Sequence, residues 1–271
     1  LISEQIQTLD EELKKSKKET VIAVCSGGMD STTSALYYLK KGYNVILLHF
    51  NYKQRSEVAE AFRLKKISKE LNIPLIFINI NELGEIGGSP LTDKNIQLPE
   101  GFDSVFSLGC WCPARNVVFL AYTSALAERI DAKIITFGAE SSESFYPDNT
   151  QEFIDRFNKM LEYGCLKPLK IEAPFINSTK VEELKWAKEA GFLDIYKYTW
   201  SCDEGLKNEK DEFIPCGRCG CCNSRRYAYY VNNIPDPQVY LDNNYFYDVF
   251  LKDMETKKGK IKEVLGEMKY A

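Results

Sequence analysis

No stretch of this 271-residue sequence stays apolar for the ~20 residues that a membrane-spanning helix needs. An excess of positive charge is also missing. Lysine and arginine total 35 against 39 acidic residues, a net charge of −4, so bulk attraction to nucleic acid or to an anionic membrane is not expected. The opening residues Leu1-Ile2-Ser3-Glu4 carry no secretory pattern. Internal repeats and low-complexity tracts are absent as well. The Walker sequence Gly-x-x-x-x-Gly-Lys does not occur, which sets aside the P-loop NTPases. Histidine is reduced to one residue, His49, at the end of an apolar run, where a structural role is expected.

What is present is an ordinary globular composition, 44% hydrophobic and 27% charged, which excludes a disordered chain. The cysteines number nine, and four of them crowd into residues 216–222. An odd, clustered set suits metal binding in a reducing, cytoplasmic compartment better than a disulfide scaffold. Apolar, β-rich runs at 20–25, 44–50, 74–80 and 133–137 predict strands. Helical segments at 32–41, at 57–71 and from 112–116 onward separate them. This alternation predicts an α/β protein with a Rossmann-like parallel sheet and helices on both faces. Residues 1–18 read as an N-terminal helical extension, with Ile2, Ile6, Leu9 and Leu13 on one face. Residues 19–165 form the expected nucleotide-binding domain and 166–240 a smaller C-terminal lobe for substrate and zinc. Residues 241–271 form a polar C-terminal extension. The two helical ends make a homodimer the expected assembly.

Cys25-Ser26-Gly27-Gly28-Met29-Asp30-Ser31-Thr32 follows a strand and opens a helix. Its glycines allow close backbone approach and positive φ. Free N–H groups at the helix start, helped by the helix dipole, can then hold a phosphate. The segment Ser26 to Thr32 is therefore the expected phosphate site. Farther on, Cys216-Gly-Arg-Cys219-Gly-Cys-Cys222 has the Cys-x-x-Cys-x-x-Cys spacing of tetrahedral zinc, with Cys202 available as a fourth ligand. Cys221 is an alternative to Cys222. Four thiolates would fill the coordination shell, so the zinc is expected to be structural.

The loop Ser26-Gly27-Gly28-Met29-Asp30-Ser31 resembles the PP-loop of the N-type ATP pyrophosphatases. That resemblance implies an adenine nucleotide alpha hydrolase-like sheet and cleavage of ATP to AMP and pyrophosphate. Further segments are similar to the 7-cyano-7-deazaguanine synthases, the QueC family. They are Asn51-Tyr52-Lys53-Gln54-Arg55, Gly88-Ser89-Pro90-Leu91-Thr92-Asp93, Cys112-Pro113-Ala114-Arg115-Asn116 and Tyr146-Pro147-Asp148. Thr179-Lys180-Val181-Glu182, Thr199-Trp200-Ser201-Cys202 and Ile234-Pro235-Asp236-Pro237 complete the set. The resemblance covers about residues 20–240.

It implies a ligase that adenylates the carboxylate of 7-carboxy-7-deazaguanine and converts it, with ammonia and a second ATP, to the nitrile of the queuosine and archaeosine pathways. Mg2+ is expected with the ATP. The resemblance also carries over Cys202, Cys216, Cys219 and Cys222 as zinc ligands. Arg115, Lys180 and Asp30 are the expected catalytic residues, the two cations offsetting carboxylate and phosphate charge. Asn116, Tyr146 and Asp148 are expected at the substrate, with Phe145 or Trp111 as further stacking rings. One departure stands out. The family's Tyr-Pro-Asp is followed by Cys-Arg, but here Asn149-Thr150 follows. Lys167 or Arg156 would have to supply the missing charge. A QueC-like paralogue that joins the activated acid to a protein amine, as in a defence system, is the alternative. A non-catalytic nucleotide-binding subunit is the third reading.

Overall fold

The structure is a computed structural model that describes residues 2–101, 108–140 and 146–256. Phe145, expected as a stacking ring, lies outside the described residues. Five strands form one sheet in the order β3-β2-β1-β4-β5. They are β1 (Thr20–Val24), β2 (Asn44–Asn51), β3 (Leu75–Asn79), β4 (Ile134–Phe137) and β5 (Lys170–Glu172). Every pairing is parallel, with Ile22 opposite both Ile46 and Ile135.

Successive strand residues point to opposite faces. Ile22, Ile46, Leu48 and Ile135 enter one core, and Val21, Ala23, Val45 and Leu47 the other. The first core is closed by α1 (Ile2–Leu13), α5 (Arg115–Ile130) and α6 (Gln151–Gly164), through Leu9, Leu120, Ala127, Ile154 and Phe157. The second is closed by α2 (Met29–Lys40), α3 (Glu57–Leu71), α7 (Lys180–Ala190) and α8 (Gly220–Val231), through Leu36, Leu64, Leu184 and Ala228. A short α4 (Asn81–Ile86) follows β3. Both faces are covered, which is why the strands read as continuous apolar runs.

Three boundaries differ from the sequence expectation. Helix α1 stops at Leu13, not at 18, because the lysine-rich segment after it turns away and Ser16 Oγ accepts a hydrogen bond from Asn44 Nδ2 at 2.8 Å. Helix α2 starts at Met29 rather than at 32, inside the glycine loop. Helix α5 starts at Arg115, because Pro113 has no N–H and Ala114 adopts a left-handed conformation with φ 52°. The apolar stripe of α1 is used within the chain: Leu9 is buried, and Asp10 Oδ2 pairs with Arg129 of α5 at 2.9 Å. β5 and α6 carry no signal read above. β5 has three residues, and α6 is fixed locally by Thr150, whose Oγ1 accepts from Phe153 N at 3.1 Å.

Strand β1 has β2 on one side and β4 on the other. The helix that follows β1, α2, packs in the second core, and the helix that follows β4, α6, packs in the first. A crevice opens at that point, above the carboxyl ends of the two strands.

Candidate active site

The glycine loop occupies the crevice. Gly27 has φ 83°, and its carbonyl accepts from Trp200 N at 2.7 Å, so the loop is tied to the C-terminal lobe. Ser31 Oγ accepts from Ser26 N at 3.2 Å, and Ser26 Oγ accepts from Gly28 N at 3.3 Å. These bonds bend residues 26–31 into a cradle at the start of α2. Gly138, just after β4, lies against it. A Cβ there would sit 2.4 Å from Ser31 N and 2.7 Å from the Asp30 carbonyl carbon. No side chain fits at 138 while the loop keeps this position.

A cavity of about 310 Å³ lies over the cradle. Ser26, Gly28, Met29, Asp30 and Ser31 line it, whereas Gly27 and Thr32 support the loop from outside the lining. Arg115 and Lys180 are the cations among its described lining residues. Arg115 donates to Tyr52 Oη at 3.2 Å. Burial penalises its charge, but Tyr52, Cys112 and Asp148 more than offset this, so it stays a cation. Lys180 Nζ lies 2.9 Å from Asp30 Oδ1 and 3.9 Å from Glu140 Oε2.

Asn116 and Tyr146 also line the cavity; Asp148 does not. Asp148 is buried and its Oδ2 accepts from Asn116 N at 3.4 Å, so it caps α5 and holds Asn116 and Arg115 in place. Burial pushes its carboxyl up, while Arg115 and the Asn116 N–H oppose that shift. Trp111 packs on Tyr146 with ring centroids 5.5 Å apart. His49 is buried, with Nδ1 at 3.0 Å from the Cys25 carbonyl, and so braces β2 against β1. Lys167 pairs with Asp131 and Arg156 with Glu152, both away from the cavity, so neither replaces the missing arginine.

Several lining residues went unread in the sequence. Gly138 could have been suspected as a strand-end glycine that admits a close backbone. Glu60, Glu140 and Asp203 gave no signal. Asp203 follows Cys202, and burial pushes its carboxyl up to about 6.

Beside the cavity, the sulfurs of Cys202, Cys216, Cys219 and Cys222 all lie within 4.8 Å of one another and all four residues are buried. The Cys216 and Cys222 sulfurs are 3.9 Å apart. Four thiolates at ~2.3 Å around one tetrahedral ion would stand about 3.8 Å apart. Backbone N–H groups of Glu204, Arg218 and Cys219 point at these sulfurs, as thiolates require. The cluster can therefore hold a metal ion. Cys221 lies outside it and lines the cavity instead, which decides between Cys221 and Cys222.

The family described as "Queuosine biosynthesis protein QueC" matches residues 20–233. The chain belongs to the QueC family. A 7-cyano-7-deazaguanine synthase of Methanococcus maripaludis is 36% identical over 231 residues, which cover 81% of this chain and 98% of that protein. The Methanocaldococcus jannaschii protein of the same name is 37% identical over 233 residues, 82% of this chain and 99% of that one. A 7-cyano-7-deazaguanine synthase 2 of Sulfurisphaera tokodaii is 36% identical over 242 residues, 87% of this chain and 50% of that longer protein.

In this QueC-family chain the Thr179-Lys180-Val181-Glu182 motif has a local physical role. It is a capping box: Thr179 Oγ1 accepts from Glu182 N at 3.3 Å, and Glu182 Oε2 accepts from Thr179 N at 2.7 Å. The box starts α7 at Lys180 and aims that lysine at Asp30. The QueC motif around Asp236 is likewise structural. Asp236 accepts from the guanidinium of Arg225, a buried residue of α8, at 3.0 and 3.2 Å.

Proposed function

We propose that this QueC-family protein is an ATP-dependent ligase that turns 7-carboxy-7-deazaguanine and ammonia into 7-cyano-7-deazaguanine. The observation that carries this reading is one cavity at the sheet's switch point that unites the phosphate cradle with Arg115 and Lys180. In the first half-reaction a substrate carboxylate oxygen attacks the α-phosphorus of Mg2+-bound ATP and pyrophosphate leaves. Ser26, Gly28 and Ser31 would hold the β,γ-phosphates with hydroxyl and N–H donors. Arg115 and Lys180 would offset the charge that gathers as carboxylate meets phosphate, inside a site where such contacts are strong. Asp30 would fix Lys180 for that task.

Ammonia then attacks the acyl carbon, AMP leaves, a proton is lost and an amide forms. The amide oxygen attacks the α-phosphorus of a second ATP and a second pyrophosphate leaves. Loss of the remaining N–H protons and of AMP gives the nitrile. Tyr146 offers an aromatic face for a flat base, with Asn116 as a polar neighbour and Asp148 holding Asn116. Cys202, Cys216, Cys219 and Cys222 would hold a zinc ion, whose tetrahedral shell four thiolates complete. With its shell filled, such an ion would supply folding energy and join Cys202 to α8, and would leave no open site for a reactant. None of the nine cysteines is in a disulfide, which fits a reducing, cytoplasmic location. Among the described residues no helix is long and apolar enough to cross a membrane.

The test is product analysis by mass spectrometry after incubation with ATP, ammonium and 7-carboxy-7-deazaguanine. The nitrile, AMP and pyrophosphate are expected. ADP and phosphate without AMP would overturn the ATP chemistry. Acid-dependent AMP release without nitrile would move the acceptor from ammonia to another amine.

A further inference from the structure

Helix α7 carries a carboxyl group into the core next to the phosphate loop. Glu183 is 0% exposed, and among the described residues no donor reaches either of its oxygens. Lys180, three residues earlier on the same face of α7, reaches Asp30 Oδ1 at 2.9 Å, which sets Glu183 beside Asp30, and the two carboxyl groups act on each other as a hydrogen-bonded pair. Two carboxylates can only accept hydrogen bonds, so such a contact needs a proton between them. Leaving both charged and buried would cost far more than keeping one neutral.

The surroundings agree from every side. α2 presents Asp30, and the segment after β4 presents Glu140. α7 itself presents Lys180, whose Nζ is 2.9 Å from Asp30. The turn Leu193–Tyr198 presents Tyr196, whose hydroxyl is already paired with Thr33. On α8, Arg225 is occupied by Asp236 and the Tyr196 carbonyl. Burial, then the Asp30 charge, hold the Glu183 carboxyl well above the usual range, with Lys180 opposing.

We propose that Glu183 is a positioning residue that works as a neutral acid: its proton bridges to Asp30 and holds that loop carboxyl in place for Lys180 and ATP. With the proton in place, Asp30 and Glu140 share Lys180. Without it, a third carboxylate joins them, beside the site that must accept a polyphosphate. Deprotonation of Glu183 therefore raises the KM for ATP.

This inference rests on the ATP reading above, and the experiment separates the two. Pyrophosphate release from ATP is measured against pH for wild type, Glu183→Gln and Glu183→Leu, with chemical denaturation in parallel. Wild type should lose kcat/KM for ATP on the alkaline side. Glu183→Leu should be folded, with a raised KM for ATP at every pH. Glu183→Gln, whose amide N–H replaces the acid O–H, should restore KM to within about threefold of wild type and lack the alkaline limb. The folded-state pKa is raised, so the folded protein keeps a proton that the unfolded chain releases. Wild-type stability should then fall as pH rises above the usual carboxylate range, and the slope should shrink in Glu183→Gln. Absence of pyrophosphate release from wild type sinks the ATP reading, and the stability slope still judges Glu183. A Gln variant as impaired as Leu, or one that keeps both the alkaline limb and the stability slope, overturns the proposal.

Discussion

Gly138→Ala tests whether the phosphate cradle is held from below by the absence of a side chain. The new Cβ would stand 2.4 Å from Ser31 N and 2.7 Å from Ser31 Cα, where ordinary contacts begin at 3.4 Å. The obstructing atoms are backbone, so no rotamer change relieves them. Relief needs the loop or the end of β4 to move by about 1.0 Å, the difference between those two distances. If the structure resists, overpacking costs about 1–3 kcal/mol, which for a chain of this size lowers Tm by roughly 2–12 °C. If the loop gives way, the donors of Ser26, Gly28 and Ser31 are misplaced by about the same distance, and a shift of ~1 Å at a reacting centre can cost on the order of 100-fold in rate. The assay pairs thermal unfolding with kcat/KM for ATP in the pyrophosphate-release reaction. Gly164→Ala is the control, because nothing lies within 4 Å of its added Cβ. Wild-type Tm together with wild-type kcat/KM in Gly138→Ala would refute the reasoning.

The cysteine cluster predicts one zinc per chain, and Cys219→Ser should lower both the zinc content by elemental analysis and the Tm, since binding energy here is folding energy. An unchanged stoichiometry and Tm would remove Cys219 from the ligand set. Asp236→Ala should leave the Arg225 guanidinium charged, 1% exposed and without its carboxylate, a loss of about 3–5 kcal/mol in a urea titration. A loss below about 1 kcal/mol would mean that Thr199 and Tyr229 satisfy Arg225 by themselves.

The sequence by itself determined the first four strands, the glycine loop and the cysteine set. Each is written in contiguous residues. A strand buried on both faces must be apolar along its length, a loop that approaches phosphate needs glycine, and thiolates aimed at one ion keep a short spacing. Thr179 to Glu182 was singled out only as a family motif, and the structure shows it to be a capping box. Arg115 and Lys180 were named from motifs that the chain shares with its family. Their meeting point was not legible, because 65 positions separate them (180 − 115) and only the folded sheet brings α5 and α7 to one cavity.

The tertiary structure alone assigned Asp148 to the start of α5, placed Cys221 on the cavity wall and Cys222 in the cysteine cluster, and left Lys167 and Arg156 at distant ion pairs. It alone exposed Gly138 and Glu183. A glycine in Phe137-Gly138-Ala139 and a glutamate in Glu182-Glu183 look ordinary in one dimension. Their roles are close approaches to the loop at 26–31 from β4 and α7, and a close approach between distant segments leaves no local pattern.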